Sequence, residues 1–428
     1  MHCGHGRRVG IIPPMTFDPY SMFSRGLLVL GVLVGHQETV AQSGGRLAER
    51  LRELDKNGDR QLSMKEFGRD EATFKSIDKD NDGGITVAEI TAFFRSGGRL
   101  NARENPSAEP TEIKGRFEET MPVSLASCRQ AADYSKRANG HAVLVMINGK
   151  IVYEKYDNGW STGQPHRLAS GTKSFAGVIA AQAVQEGLFN FDDPVSDTIT
   201  EWRDTPRLSK ITIRQLLSLR SGIDPGDNSV VLPYAEAIKA KALNKPGTRF
   251  AYGPNPFQIF GALMQRKLAD RQQTSLDFLR EKVLDPIGMK TGTWRLTKYG
   301  DPHMPSGAFV TAREWAKFGE LLRRGGRWGD KQIVNRDLLA ELIKGSDANP
   351  AYGITFWLSN KKGVGAGNDA AARSTTPSTV NLNDLVMAAG AGKQRLYILP
   401  SAKLVAVRFG ETQGRRFQDG PFLNRLLK

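Results

Sequence analysis

The sequence predicts a multidomain chain in which a small all-α unit precedes a larger domain of the α/β (α+β) class. The 428 residues leave room for two or three domains. Two acidic twelve-residue segments lie within residues 46–95, whereas residues 121–428 begin with strand-like runs that lead into a helical apolar pattern. Between them, residues 96–120 are polar, contain Gly and Pro, and show no apolar period, which is typical of a linker.

The composition indicates a basic protein without a disulfide framework. The net charge of +15 favours anionic surroundings or substrates, although a solvated basic surface also accounts for it. No nucleic-acid partner is expected, because the sequence has no nucleic-acid motif and no clustered run of Lys and Arg. Cys3 lies in the predicted leader, so Cys128 would be alone in the mature chain and is interpreted as a small core residue rather than a reactive thiol.

Residues 1–41 are interpreted as a leader that contains a secretory signal. Arg25 precedes an apolar run at residues 27–34, and small or neutral residues follow up to a cleavage site after Ala41. The run is too short to cross roughly 30 Å of hydrocarbon, so no stable membrane span is expected after cleavage. A secreted or periplasmic protein is therefore predicted, with Met22 as an alternative start and a buried hydrophobic segment as the alternative reading.

Two twelve-residue loops, DKNGDRQLSMKE (55–66) and DKDNDGGITVAE (78–89), each run from an Asp to a Glu. Calcium takes six to eight oxygen ligands from a flexible loop, and positions 1, 3, 5, 7, 9 and 12 supply such oxygens here. Both loops resemble EF-hands, with two solvated acidic turns as the alternative. The predicted Ca²⁺ ligands are Asp55, Asn57, Asp59, Gln61, Ser63, Glu66, Asp78, Asp80, Asp82, Gly84, Thr86 and Glu89.

The two loops differ at their sixth position, where the chain must turn sharply. Gly83 suits that position in the second loop, but Arg60 occupies it in the first and must adopt an unfavourable backbone geometry. The first site is therefore expected to bind calcium more weakly. Leu62 and Ile85 are expected to pair through a short strand bridge between the loops.

A serine and a lysine one helical turn apart form the first catalytic candidate. The runs AVLVMI (142–147) and IVYEKY (151–156) predict a β-hairpin connected through residues 148–150. After a turn-rich segment, Ser170 begins a helix in which apolar residues recur at helical spacing. Backbone N–H groups and the dipole at a helix start favour negative charge, and Lys173 lies on the same face one turn later.

Two interpretations of this pair stay open on the local sequence. If the shared face is buried, desolvation favours the neutral amine of Lys173, which can accept the proton of Ser170 during acyl transfer. The same residues also suit a helix cap followed by a surface lysine. A second S-x-x-K pattern, Ser76 with Lys79, straddles the start of the second acidic loop and requires no catalytic explanation.

Four further blocks follow Ser170 in the chain. They are NFDDPVSDT (190–198), ITIRQLLSLRSG (211–222), FAYGPNPFQIFG (250–261) and PSGAFVTAREWAKFGELLRRGG (305–326). With the Ser170 block, their order resembles the beta-lactamase-related serine hydrolases over nearly all of residues 121–428. That family includes class C beta-lactamases, D-Ala-D-Ala carboxypeptidases, esterases and 6-aminohexanoate-oligomer hydrolases. The resemblance implies an antiparallel sheet covered by helices, with the nucleophile on a helix between the sheet and a helical subdomain.

The resemblance implies three catalytic residues. Ser170 would be the nucleophile, Lys173 its partner, and Tyr252 a second general acid/base. A tyrosine can serve this role only if nearby positive charge lowers its pKa of about 10, which is a reason to expect Lys173 beside it. The alternative for Tyr252 is a core aromatic residue with one hydroxyl hydrogen bond.

Two departures from the family pattern bear on substrate binding. The third position of the family's Tyr-x-Asn motif is Pro254, and Asn255 follows one residue late, either to reach the site or to cap a helix that begins at Pro256. The family's Lys/His-x-Gly motif aligns with the triplet 388–390, Ala-Ala-Gly, which lacks the cation.

The backbone of this third motif still suits an oxyanion hole. The N–H groups of Ser170 and Ala391 are the predicted donors, and Gly390 and Gly392 allow close backbone approach. Without a cation at Ala388, a substrate carboxylate loses its partner unless Lys393 or Arg395 replaces it.

An uncharged acyl group is therefore expected in a small-molecule ester or amide, and beta-lactams and D-Ala-D-Ala peptides are less favoured. The polar segment 363–379 is either a lid or a disordered excursion.

Three functions are compatible with these sequence features. The first is an exported serine hydrolase in which Ca²⁺ binds the EF-hands and takes no part in the chemistry. The second is a catalytically silent relative that binds cell wall or another exported protein. The third is a calcium-dependent scaffold module. The sequence identifies no particular protein partner.

Overall fold

The computed structural model describes residues 54–55, 57–67, 71–96, 112–359, 380–412 and 416–427 of the chain. The chain divides into two compact units, Met1–Arg103 and Glu104–Lys428. The predicted leader, most of the predicted linker and the predicted lid at 363–379 lie outside the described residues. Among the helices that are described, none has the length and apolar character needed to cross a membrane.

The first unit contains short helices and one small sheet. Its elements are β1 (Leu62–Ser63), α1 (Met64–Phe67), α2 (Glu71–Ile77), β2 (Gly84–Ile85) and α3 (Val87–Arg95). Strands β1 and β2 are antiparallel and pair Leu62 with Ile85, so the predicted bridge is confirmed. Phe67, Phe74 and Ile90 pack with this pair in a small apolar core. Arg60 has a φ of 68° and Gly83 a φ of 89°, so the sixth position of each loop is left-handed.

The second unit is built from a central sheet and surrounding helices. Its strands are β3 (Glu112–Lys114), β4 (Gly140–Ile147), β5 (Lys150–Tyr156), β6 (His166–Arg167), β7 (Phe309–Val310), β8 (Arg327–Trp328), β9 (Lys331–Gln332), β10 (Trp357–Leu358), β11 (Val386–Gly390), β12 (Gln394–Leu399) and β13 (Leu404–Gly410). Its α-helices are α4 (Leu125–Arg137), α5 (Lys173–Gln185), α6 (Ile213–Leu217), α7 (Tyr234–Ala237), α8 (Asn255–Lys267), α9 (Ser275–Leu279), α10 (Ala312–Arg323), α11 (Arg336–Leu342) and α12 (Asp419–Leu426).

Shorter helical segments connect these elements. The 3₁₀ turns are Ala169–Thr172, Val195–Asp197, Thr200–Trp202, Leu208–Lys210, Ala269–Arg271, Asp285–Ile287 and Ala391–Lys393, and Arg280–Leu284 forms a π-helical turn after α9.

The main sheet has seven strands in the order β10-β11-β12-β13-β4-β5-β3, and each neighbouring pair is antiparallel. The predicted hairpin is confirmed, since β4 and β5 pair Ile147 with Lys150 around a two-residue turn. Asn148 and Gly149 both have positive φ, which matches the twist of the flanking strands. The predicted antiparallel sheet is therefore present.

Helices cover both faces of this sheet. A Cβ atom on Gly319 of α10 would lie 2.7 Å from Val405 Cγ1 and 2.8 Å from Leu396 Cδ1, so α10 packs tightly on one face. Arg395 and Tyr397 alternate with Leu396 along β12 and hydrogen-bond to Asp419 at the start of α12, which covers the other face with α4. Every residue of β4 is buried, as expected for a strand covered on both sides.

Helix α5 is the buried helix that carries the catalytic candidates into the domain. All residues from Lys173 to Ala183 are buried, and α9 and α11 pack against the helix. The chain leaves the helix through Gly187, with a φ of 70°. A helix that is enclosed on all sides can place a polar side chain near its first turn out of water.

Candidate active site

The structure brings Ser170 and Lys173 into direct contact. Ser170 lies on the 3₁₀ turn Ala169–Thr172, which leads directly into α5 at Lys173. The Nζ atom of Lys173 donates hydrogen bonds to Ser170 Oγ at 3.0 Å and to the carbonyl oxygen of Pro305 at 3.2 Å. Of the two interpretations open to the sequence, the surface lysine is therefore excluded.

Burial controls the charge of this lysine. Lys173 is 3% exposed, and burial lowers the pKa of its ammonium to about 7. Its Nζ atom lies 4.9 Å from the ring centroid of Tyr252 and 5.1 Å from that of Phe257, so aromatic faces surround the amine. A neutral amine beside a serine hydroxyl is thus accessible near neutral pH, which general-base catalysis requires.

Tyr252 joins the pair from a separate part of the chain. Its ring stacks on Trp357 of β10, with 5.7 Å between centroids and 22° between planes. Phe250 and Tyr352 contact it from the sides, at 6.5 and 6.4 Å between ring centroids. This aromatic packing fixes the ring against the edge of the sheet and next to the amine of Lys173, so the three predicted catalytic side chains converge.

The turn that carries Ser170 is strained and closely packed. Ala169 has a φ of 48°, a left-handed conformation that few residues other than glycine adopt. A Cβ atom on Gly171 would lie 2.9 Å from Trp315 Cζ2, so the turn presses against the aromatic side chain of α10. Backbone strain of this kind occurs where surrounding packing holds a functional residue in place.

The end of β11 lies against the same turn. A Cβ atom on Gly390 would lie 2.0 Å from the carbonyl oxygen of Leu168 and 3.0 Å from the amide nitrogen of Gly171. Only glycine permits this approach, which brings Ala391 beside the Ser170 turn. Gly390 therefore acts as a spacer between two backbones, and Ala391 is the exposed residue that follows it.

Buried polar side chains brace the turn after Gly390. Arg408 of β13 donates from Nη1 to the carbonyl oxygens of Gly392 at 2.8 Å and Lys393 at 2.9 Å. Gln394 donates from Nε2 to the carbonyl oxygen of Ala391 at 3.1 Å. The sequence reasoning missed both residues. The signal was an arginine within the otherwise apolar run LVAVRFG, which points to a buried and partnered cation.

Two predicted substrate-binding residues have other partners. The Nδ2 atom of Asn255 donates to the carbonyl oxygen of Asp224 at 3.2 Å, and the side chain makes no cap bond although α8 begins at this residue. The absence of a cap bond corrects the helix-cap alternative. The Oδ1 atom of Asn255 has no hydrogen-bond partner among the described residues, so its role as a site ligand stays a prediction.

The guanidinium of Arg395 is buried, and it pairs with Asp419 at 2.7 and 3.1 Å. It therefore does not supply the cation that Ala388 lacks. Ala388 itself is buried in β11 opposite Leu396.

The predicted metal ligands form compact loops in the first unit. Carboxylate oxygens of Asp78, Asp80 and Asp82 all lie within 4.8 Å of one another, and Asp78 Oδ1 is buried without a hydrogen-bond partner. Glu89 closes this loop by accepting from the backbone N–H groups of Lys79 at 2.7 Å and Thr86 at 2.9 Å. This donor set fits a hard cation such as Ca²⁺.

The first loop closes in a similar way. Asp55 accepts from the N–H groups of Gly58 at 2.7 Å and Arg60 at 2.9 Å. Glu66 accepts from the backbone N–H of Ser63 at 3.1 Å. Asn57, Asp59 and Gln61 lie on the same loop, where Asn57 Nδ2 donates to Asp59 and Gln61 Nε2 donates to Asp82 of the second loop.

Comparison with known proteins agrees with this geometry. The sequence model of the Beta-lactamase family matches residues 124–426. The chain is 26% identical over 226 residues to an uncharacterised protein of Alkalihalophilus pseudofirmus, in a match that covers 47% of this chain and 63% of the relative, so it spans less than two thirds of that relative's length.

Solved structures with the same fold include proteins described as hydrolases. A Bacillus anthracis protein provisionally assigned as a 6-aminohexanoate-dimer hydrolase is 19% identical with a TM-score of 0.58, covering 74% of this chain and 89% of that one. EstCE1, described as a hydrolase with promiscuous acyltransferase activity, is 17% identical with a TM-score of 0.54, covering 70% and 95% of the two chains. At these identities the similarity shows the fold alone.

The contact between Gly390 and the Ser170 turn leads to a first prediction. Gly390→Ala should push β11 away from Leu168, destabilise the fold by about 1–3 kcal/mol and slow labelling of Ser170 by a fluorophosphonate at least tenfold. Gly163→Ala is the matched control, since a Cβ atom there meets nothing within 4 Å. Thermal denaturation and labelling rates measure both effects, and equal behaviour of the two variants would contradict the close approach.

The burial of Lys173 leads to a second prediction. The folded pKa lies below the ordinary value of 10.5, so the neutral base accumulates as pH rises through about 7. The labelling rate of Ser170 should therefore increase from pH 6 to 8 and level off above that range. A rate that inflects only near pH 10, or a Lys173→Met variant with the wild-type profile, would show that this amine is not the base.

Proposed function

The chain belongs to the Beta-lactamase family, and from that premise we propose that it is a serine hydrolase of the esterase or amidase type. One observation carries the proposal, namely the desolvated amine of Lys173 at 3.0 Å from Ser170 Oγ. A buried ammonium is costly, and a neutral amine is a base. The burial of Lys173 beside a half-exposed hydroxyl therefore favours a catalytic role over a purely structural one. The hydrolase descriptions of proteins with this fold support the same choice.

The proposed reaction has two steps. Ser170 Oγ attacks the acyl carbonyl while the neutral amine of Lys173 removes its proton, and a tetrahedral oxyanion forms. The N–H groups of Ser170 and Ala391 stabilise that oxyanion. Tyr252 donates a proton to the leaving alcohol or amine, which departs and leaves an acyl-enzyme. Water then attacks the ester, its proton passes to the same bases, and the acid and free Ser170 are released.

The proposed substrate carries an uncharged acyl group on the side that faces β11. Ala388 supplies no cation there, and the guanidinium of Arg395 is paired with Asp419. Beta-lactams and D-Ala-D-Ala peptides present a carboxylate to this strand in related enzymes, so they are the less favoured substrates. An uncharged ester or amide is therefore the proposed substrate.

A catalytically silent binding protein is the second candidate. The bond between Asn255 and Asp224 favours it, because the Nδ2 donor of this family motif residue bonds to a loop carbonyl instead of a substrate. In the hydrolase proposal the chain divides into an EF-hand pair at 46–95, a linker at 96–120 and a hydrolase domain at 121–428. Export through the leader at 1–41 belongs to that proposal. So does Ca²⁺ binding by the two acidic loops, which would stabilise the first unit without entering the chemistry.

Active-site labelling tests the proposed hydrolase. Wild-type protein should react with a fluorophosphonate and turn over a short-chain chromogenic ester, whereas Ser170→Ala should lose labelling and at least about a thousandfold of turnover. Tyr252→Phe should lose about a hundredfold or more, because it removes the leaving-group acid. Ser161→Ala, at an exposed serine, is the control. A folded wild type that neither labels nor turns over any ester or amide would favour the binding protein.

Calorimetry and thermal denaturation test the calcium proposal on the full chain. Millimolar Ca²⁺ should raise the melting temperature of the first unit and EGTA should reverse the shift, because a ligand of the folded state alone stabilises it. Asp78→Asn should weaken binding at the second loop, whereas Arg60→Gly should strengthen the first by relieving its left-handed backbone. Asp204→Asn, an exposed acid of the second unit, is the control. No heat and no shift at millimolar Ca²⁺ would reject the proposal.

A further inference from the structure

Three basic side chains near the nucleophile lack partners in the part of the chain that the structure describes. Arg167, Arg295 and His303 make no side-chain hydrogen bond or ion pair there. The Nε atom of Arg167 and the Nδ1 atom of His303 are nevertheless buried. Burying such donors without a protein acceptor costs free energy, which an acceptor group of a bound ligand would recover.

Strand register places the three side chains on one face of a small ribbon. Arg167 lies opposite Phe309 in the pairing of β6 with β7. The backbone N–H of Phe309 donates to the carbonyl oxygen of Thr293. Two residues after Thr293, the backbone N–H of Arg295 donates to the carbonyl oxygen of Gly307. Because side chains alternate along a strand, Arg167 and Arg295 share the face of Phe309.

His303 joins them on that face from the returning strand. Its N–H donates to the carbonyl oxygen of Arg295 at 2.9 Å, and the next bridge pairs Leu296 with Pro302. His303 therefore lies directly across from Arg295 on the same side of the ribbon.

The electrostatics of the cluster indicate an uncompensated positive charge. Burial first, and then the charge of Arg295, lower the pKa of Arg167 below its ordinary value. Burial, followed by the charges of Arg295 and Arg167, lowers the pKa of His303 to about 4. No carboxylate among the described residues offsets these effects, so His303 is neutral at pH 7 and can donate an N–H to an anion.

The cluster adjoins the reacting groups through the backbone. Arg167 precedes Ser170 by three residues, and His303 precedes Pro305, the carbonyl partner of Lys173, by two. The two segments that meet at the amine of Lys173 therefore also carry the cluster. A ligand bound there could extend its other end to Ser170.

We propose that Arg167, Arg295 and His303 form a subsite for an anionic group of the substrate, a carboxylate or a phosphate. The inference rests on the proposed hydrolase activity and narrows its substrate class. The reacting acyl group stays uncharged where it faces Ala388, and the negative charge lies at the far end of the molecule. Guanidinium groups suit such a role, since their parallel N–H donors match the oxygens of carboxylate and phosphate.

The test compares chromogenic esters of equal length that differ at the far end. One ends in a carboxylate, one in a phosphate and one in the neutral methyl ester. Wild type should prefer an anionic ester by about tenfold or more in kcat/KM, through KM. The anion with the larger preference identifies the natural group. Raising the salt concentration should reduce the preference, because Arg295 is exposed and its charge is screened.

Variants then assign the preference to the cluster. Arg295→Gln should reduce the preference for the anionic ester about tenfold, while kcat/KM for the neutral ester stays at the wild-type value. Arg167→Lys, which keeps the charge but loses the fork of donors, should remove part of it. Arg207→Gln changes the net charge equally at an exposed arginine elsewhere and should change nothing. Wild-type preference for the neutral ester, or an unchanged preference in Arg295→Gln, would overturn the subsite.

Binding measurements separate this inference from the proposed reaction. With Ser170→Ala, calorimetry should detect the carboxylate or phosphate ester, and the double variant with Arg295→Gln should bind it at least tenfold more weakly. This result supports the subsite even if the wild type fails to turn over esters. Equal binding by both proteins would reject the subsite even if the hydrolase activity is found.

Discussion

The site depends on the exclusion of water from one amine. Lys173 lies on a helix enclosed on every side, with Pro305 and the rings of Tyr252 and Phe257 closing over its tip. An ammonium ion in such a place would cost several kcal/mol, and no carboxylate partner offsets that cost among the residues described. Burial lowers the pKa of the Lys173 ammonium to about 7, so the amine can lose its proton and avoid this cost. A neutral amine near pH 7 is also what a general base requires. Stability and chemistry are thus linked: loosening the packing around the amine would restore its charge and remove its reactivity.

The backbone around Ser170 shows how the fold maintains this geometry. The left-handed conformation of Ala169 costs of order 1–3 kcal/mol and persists because Trp315 and the end of β11 press on the turn. Gly390 allows the two backbones to touch, and Arg408 then fixes the following turn through two carbonyl oxygens. Two braced backbones leave this part of the site with little freedom. The contact of β11 with the Ser170 turn is thus a contact between main chains, and it does not depend on a cation at position 388.

Local features of the sequence predicted the parts of the fold that depend on local physics. The hairpin at Asn148, the contact between Ser170 and Lys173, and the bridge between Leu62 and Ile85 follow from turn chemistry, helix spacing and loop length. The hydrogen-bond partners of long polar side chains could not be predicted from these local features. Arg395 points to α12 because odd residues of β12 face that helix, which only the assembled sheet determines. Asn255 bonds to a carbonyl oxygen 31 residues earlier in the chain, and the sequence around Asn255 does not predict this contact. The aromatic support of Tyr252 likewise comes from β10, more than a hundred residues later.

The arginines of the second unit fall into two groups, and the contrast bears on the substrate. Arg395 and Arg408 are buried, and each is matched by a carboxylate, hydroxyl or carbonyl oxygen within 3.5 Å. The chain therefore satisfies buried guanidinium groups where their role is structural. Arg167 is also withdrawn from water at Nε but has no such acceptor in the described residues, and the nearest charge acting on it is a second arginine. A fold that pairs its other buried arginines and leaves this one unpaired beside the nucleophile has the electrostatic character of a binding site, in which the substrate supplies the missing acceptor.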